Sequence, residues 1–340
     1  MAVDANAYSP KQFSFLIALQ DDWGTLNEDS TGSPNNAYTA VDVDSIGSPS
    51  LNINQVLDTR TGSRVLQATD FFQDNKNKII EISVSGTLTT AVADILLKNI
   101  TLDASSPYSV ASNVGSSIFT AASTGQTAAQ ILSIVYQSPS SGNSLAFKDC
   151  FCTSLSFNGD MGTEGGRIKF SATFKTGSLP ADLTSATIAT DTAITANNYY
   201  MNTWDSDDRI ITGVANCLVN SFTLNIENDI TFAGFIPAAG AEIATRIGAV
   251  SANADFNVKY DANTDILIQT FHEQTTGTSQ GATLMATDDT PSNNEFEFKF
   301  ANSILTDVSF SDAGLMMVNA SVKAVGAGIG SSTALFEISC

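Results

Sequence analysis

The sequence predicts a mainly β protein: two tandem β-sandwich or barrel domains, each carrying one short helix. Three observations predict it. Apolar residues alternate with polar ones in many short runs, the period of a half-buried strand. The runs are separated by Ser, Thr, Asn, Asp and Gly, the residues of turns. The order of the runs in the first half recurs in the second.

Taken in order, the first clear strand is Ile80-Glu81-Ile82-Ser83-Val84-Ser85. Residues 90–100 break the alternation. Val92, Ile95, Leu96 and Ile100 are spaced for one face of a helix, and Thr89 or Thr90 can cap its start. Residues 127–134 read equally as a helix or as a strand from Ile131. Strands follow at Leu155–Asn158 and Ile168–Phe174, then at Phe222–Ile226 and Phe256–Tyr260. A second amphipathic helix is predicted over residues 263–271, with Asn263 as its cap. Strands at Phe296–Phe300, Val318–Val322 and Ala334–Ile338 complete the pattern, and Gly326–Gly330 reads as a turn before the last of these.

The self-similarity covers six blocks in the same order. Pro49–Asn54 resembles Asn220–Asn225. Ile82–Leu88 resembles Ala254–Tyr260, and each precedes a helix. Asp94-Ile95-Leu96-Leu97 matches Asp265-Ile266-Leu267-Ile268. Downstream, Phe147-Lys148 matches Phe298-Lys299, Leu155–Phe157 matches Val308–Phe310, and Phe170–Lys175 matches Val318–Lys323. The expected organisation is a first domain at 1–180, a linker at 181–208 and a second domain at 209–340.

Composition narrows the function. The chain has 340 residues, of which 43% are hydrophobic and 15% charged. It carries 15 basic and 35 acidic residues, a net charge of −20. Residues 1–180 hold 10 basic and 16 acidic groups, and residues 181–340 hold 5 and 19. Such a balance excludes nucleic-acid binding through a broad basic surface, and it opposes docking on anionic membranes. The opening Met-Ala-Val-Asp-Ala-Asn lacks the basic and apolar regions of a signal peptide. No apolar run reaches the roughly 18 residues of a membrane span.

Catalytic constellations are not evident. His272 is the one histidine, and no nucleophile elbow accompanies it; it reads as a surface loop residue. Cys150, Cys152, Cys217 and Cys340 lack zinc spacing, and they read as buried free thiols. The acidic groups Asp42-Val43-Asp44, Asp205-Ser206-Asp207-Asp208 and Asp288-Asp289 read as solvated surface, without the pattern of a calcium loop. The expectation is a non-enzyme with no metal and no cofactor.

Four further blocks carry a family resemblance. Gln12-Phe13-Ser14-Phe15-Leu16-Ile17-Ala18-Leu19-Gln20-Asp21-Asp22-Trp23-Gly24-Thr25 is an apolar run followed by acidic residues, an aromatic and Gly-Thr. Ser83–Leu97 is a strand leading into a helix, and Asp149–Gly177 is a closing hairpin. In the second half, Cys217–Ile230 is a strand leading to an Asn-containing turn. Together these resemble the tail tube proteins of long-tailed bacteriophages.

The resemblance implies a structural subunit that self-assembles into stacked rings and forms a conduit for DNA. Two domains per chain imply three chains per pseudo-hexameric ring. The implied partners are other copies of the chain, a tape measure protein, and tail terminator and baseplate proteins. DNA passes through without specific binding. The implied setting is the virion tail, assembled in the host cytoplasm. The arms 54–67 and 228–249 are the expected contacts between rings, with Asp58, Arg60, Arg64, Asn228 and Asp229 as candidate residues. The N-terminal arm 1–10 is another. Competing readings are another virion structural protein (decoration or distal tail) and a surface adhesin or S-layer module.

Overall fold

The computed structural model describes residues 13–20, 26, 38–52, 55–57, 71–73, 79–103, 106–111, 118–119, 130–138, 144–178, 180–183, 190–191, 198–201, 210–236, 241–273, 280–288, 295–312, 314–326 and 333–340. In chain order the strands of the first half are β1 (Ser14–Leu19), β2 (Tyr38–Ala40), β3 (Val43–Ile46), β4 (Ser50–Asn52), β5 (Gln55–Leu57), β6 (Phe71–Gln73) and β7 (Ile79–Thr87). Helix α1 (Thr90–Thr101) follows, then β8 (Tyr108–Ala111), β9 (Ile118–Phe119), β10 (Leu132–Gln137), β11 (Ser144–Asp160), β12 (Lys169–Thr176) and β13 (Ala181–Leu183). The chain continues with β14 (Thr190–Asp191), β15 (Tyr199–Tyr200), β16 (Val219–Ile236), β17 (Ala241–Lys259), α2 (Thr264–Glu273), β18 (Gln280–Asp288), β19 (Glu295–Asp312), β20 (Met316–Ala324) and β21 (Ala334–Ser339).

The mainly β class is as the alternation predicts. In β7, Ile80, Ile82 and Val84 are buried while Glu81, Ser83 and Ser85 point outward. In β12, Phe170, Ala172 and Phe174 are buried by the same period. Of residues 127–134, the described part (130–134) favours the strand, since β10 begins at Leu132. Nineteen of the strands form one hydrogen-bonded network, and β5 and β6 form a separate pair.

One path through this network recurs. In the first half the neighbours run β4, β7, β12, β11, β10, β1. In the second they run β16, β17, β20, β19, β18, β15. Register recurs with the order. Val84 faces Ala172, and Phe256 faces Ala320. Phe157 faces Phe170, and Phe310 faces Val318. A β-bulge between Cys152 and Ser154 has its counterpart between Leu305 and Asp307, and the shift between Leu132 and Ile134 recurs between Gln280 and Ala282. Leu88 N–H donates to the Ile168 carbonyl at 3.1 Å, as Tyr260 N–H does to Met316 at 3.0 Å.

The upstream match departs from the sequence alignment. Ser50 faces Glu81, and Asn225 faces Asn253. Asn253 occupies the place of Glu81, so Ser50 corresponds to Asn225 and Leu51 to Ile226. The alignment instead placed Ser50 against Ser221, four residues away. An even slip keeps every side chain on its own face, so alternation alone does not detect it.

The halves are interleaved by backbone pairing. β11 pairs with β16, β8 pairs with β21, and β9 pairs with β17. The expected linker 181–208 is, where described, largely strand. β13 pairs with β11, β14 with β2 and β15 with β18. Tyr199 and Met201 within it are buried.

Both helices carry side-chain caps. Thr89 Oγ1 accepts from Val92 N–H at 3.4 Å, which settles the choice between Thr89 and Thr90. The cap of α2 is Asp261 rather than Asn263. Its carboxylate accepts from Thr264 N–H at 3.1 Å, Thr264 Oγ1 accepts from Asp261 N–H at 2.7 Å, and its carbonyl accepts from Asp265 N–H.

Helix α1 is fixed to β11 by buried Asn99. Its amide donates to the carbonyls of Gln130 at 2.5 Å and Cys150 at 3.2 Å, and its oxygen accepts from Cys152 N–H at 2.6 Å. These bonds satisfy buried backbone groups next to the bulge between Cys152 and Ser154. Leu96, Leu97 and Ile100 join Phe147, Leu155 and Phe174 in the main core. None of the four cysteines forms a disulfide; Cys150, Cys152 and Cys217 are buried and Cys340 partly so.

Replacing Asn99→Ala leaves those buried groups without partners and should cost roughly 3 kcal/mol. The midpoint of a urea titration should fall with an unchanged slope. Burial pushes the Cys152 and Cys340 thiols up to about 12, and Cys150 up as well. A thiol held neutral is a poor nucleophile. Ellman's reagent at pH 8 should therefore leave the native thiols largely unlabelled and should label all four after denaturation.

Candidate assembly interface

An unpaired strand edge presents a row of donors and acceptors that a neighbouring strand can complete. This chain completes one such edge internally. The C-terminal part of β11, Ser154–Asp160, pairs antiparallel with Glu227–Ser221 of β16. On the core side of this joint, Leu155, Phe157, Leu224 and Ile226 are each 0% exposed. Phe157 packs edge-on against Phe296, with ring centroids 5.1 Å apart, and Tyr199 lies against the same ring at 5.6 Å. Gly159 faces Phe222. A β-carbon there would approach the Met201 sulfur to 2.5 Å and the Phe222 ring to 2.9 Å, so glycine permits the close fit.

Among the described residues the corresponding surfaces elsewhere have no such cover. Val308–Asp312 of β19 takes the place of Leu155–Gly159, and among the described residues it pairs with β20 alone. Phe310, in the place of Phe157, is 53% exposed. Met316, in the place of buried Ile168, is 53% exposed, and Leu315 beside it is 68% exposed. With Ser311, Asp312 and Gly314 these three side chains line an open groove of about 420 Å³. At the other end of the strand path, β4 pairs with β7 alone among the described residues. Its Leu51, in the place of Ile226, is 61% exposed.

The residues singled out as inter-ring contacts fall differently. Asp58, Arg60 and Arg64 lie outside the described residues, between β5 and β6. Asn228 is buried, and its amide donates to the Ile100 carbonyl at 3.2 Å, tying β16 to the end of α1. It therefore serves the internal joint. Asp229 lines a neighbouring groove with Thr153, Lys175 and Glu227. The arm 228–249 is, where described, the paired continuation of β16 and β17, and it bears β9 along its side.

Other candidates resolve simply. His272 lies in the last turn of α2 and is exposed, so it belongs to a helix rather than a loop. Asp44 pairs with Lys169 at 3.0 Å. Asp205–Asp208, Asp289 and residues 327–330 lie outside the described residues. Among the described residues, no group of three or more His, Cys, Asp or Glu side chains is placed to hold a metal ion. No described helix is long and apolar enough to cross a membrane.

The paired positions give a direct contrast. Phe157→Ala should destabilise the chain by about 3–5 kcal/mol, the cost of a cavity in a closed core. Phe310→Ala should cost the isolated chain about 1 kcal/mol or less, because half its surface already faces solvent. Thermal unfolding of the two variants at low protein concentration checks the difference.

No protein-family model matches the chain, and no curated protein sequence matches it.

Proposed function

We propose that this protein is the structural subunit of a bacteriophage tail tube, made of two copies of one β domain and assembling into stacked rings of three chains. One observation carries the reading. Among the described residues the chain makes this strand joint once, between β11 and β16, and carries the two halves of a second such joint at β19 and β4, with apolar side chains exposed at both. A subunit with two different complementary edges associates head to tail, and such contacts form a ring when the rotation between neighbours closes. The resemblance of Gln12–Thr25, Ser83–Leu97, Asp149–Gly177 and Cys217–Ile230 to tail tube proteins supplies the identity of the ring.

Composition agrees with this role. Like charges keep DNA from adhering to a wall, and the chain carries a net charge of −20. On this reading the partners are further copies of the chain, a tape measure protein, and terminator and baseplate proteins at the ends of the tube. DNA passes without a specific site, and the mature location is the virion tail. No catalytic step is assigned to the chain.

Negative-stain imaging of concentrated protein, with mass photometry of dilute samples, tests this. The expected result is tubes of stacked rings and a three-chain particle. Six-chain rings would retain the tube and remove the three-chain arrangement. A monomer at every concentration would reject self-assembly and favour a decoration or adhesin role.

A further inference from the structure

We infer that the joint inside the chain is the template for the joint between chains, with Val308–Ser309 of one copy pairing antiparallel with Leu51–Ser50 of the next. This deepens the tube reading and rests on it. Register follows from the internal joint by correspondence. Leu155 faces Ile226, Ser156 faces Asn225 and Ser154 faces Glu227. Carried to the free edges, Val308 faces Leu51, Ser309 faces Ser50 and Asp307 faces Asn52 of the neighbouring copy.

Three observations select this occupant. The first is side-chain direction. Leu51 shares a face with core residue Ile80, and Val308 packs against the main core, so both lie on the side where Ile226 and Leu155 meet. Their contact continues that core across the boundary. The second is apolar surface left open. Phe310, Met316 and Leu51 are exposed where their counterparts Phe157, Ile168 and Ile226 are fully buried. The second joint thus lacks cover that the first one has.

The third is charge. A two-fold pairing of β19 with itself about Ser309 and Phe310 would place Asp307 opposite Asp312, and like charges directly opposed are unfavourable. The described residues of β4 carry no charge, so the heterologous pairing avoids that repulsion. It also leaves each chain with one donor edge and one acceptor edge, as ring closure requires.

Disulfide trapping tests the register. Ser50 and Ser309 are exposed, so S50C and S309C are mild substitutions. Both are placed in a Cys340→Ser background, which removes the one native thiol that is not fully buried. S156C with N225C, at the equivalent internal pair, is the positive control within one chain. S50C with D312C is the off-register control. Mild oxidation of assembled S50C/S309C protein should convert the monomer band to a ladder ending at three chains on a non-reducing gel. The off-register control should remain monomeric. Rings in mass photometry with no ladder from S50C/S309C would overturn the inference and leave the tube reading standing. A ladder of equal yield from S50C/D312C would overturn the register. Absence of any particle above the monomer for the unmodified chain would remove the tube reading and the inference together.

Discussion

Satisfaction of strand edges is the constraint on which this structure depends. A long β-strand has two rows of backbone groups, and each needs a partner or water. β11 meets this requirement in sections along its 17 residues. Its first section takes β10 on one side and β13 on the other, and its second takes β12 and β16. The change of neighbour between β10 and β16 is what joins the halves. β19 repeats the first change, from β21 to β20, but its outer side beyond Ser303 finds no second β16 among the described residues. The chain therefore ends its own ladder with a surface shaped like one it has already filled.

Side-chain chemistry holds this arrangement in register. The bulges at Cys152–Ser154 and Leu305–Asp307 fall at equivalent points of the two long strands, and a bulge increases local twist. In the first half Asn99 takes up the backbone groups around the bulge. In the second half α2 offers only Thr264 and Leu267 as buried residues, so it is held less deeply. The two halves thus share a strand path while differing in how each helix is anchored. The anchored half also accepts a hydrogen bond from Asn228 of the other half through the Ile100 carbonyl, which brings β16 to the end of α1. The internal joint is consequently tied by side chains as well as by its ladder.

Much of the strand pattern was legible in the sequence. Alternation located β7, β12, β17 and β20 because each buries one face. The matched runs Phe170–Lys175 and Val318–Lys323 pair with β7 and β17 in the same relative register. The match of Pro49–Asn54 slipped by four residues because alternation has no memory beyond its own period. The cap of α2 was misplaced because Asn263 and Asp261 are both good cap residues, and only the path of the backbone favours Asp261. The segment 181–208 looked like a linker because its residues are small and polar. Its strand pairs depend on partners far away in the chain, which local composition does not reveal.

The open edges were hidden for the same reason. Phe157 and Phe310 lie in similar alternating runs, and nothing local says that one is fully buried and the other half exposed. Asn228 falls in the arm expected to make inter-ring contacts, yet long-range packing buries it against α1. By itself the sequence determined the β class, the two helices, the acidic balance and the recurrence of strand order, because these follow from local periodicity and composition. Only the tertiary structure decided which edges are closed and which are open. Edge closure depends on pairing between residues more than sixty positions apart, as Leu155 with Ile226 shows, and such pairing is a property of the folded sheet.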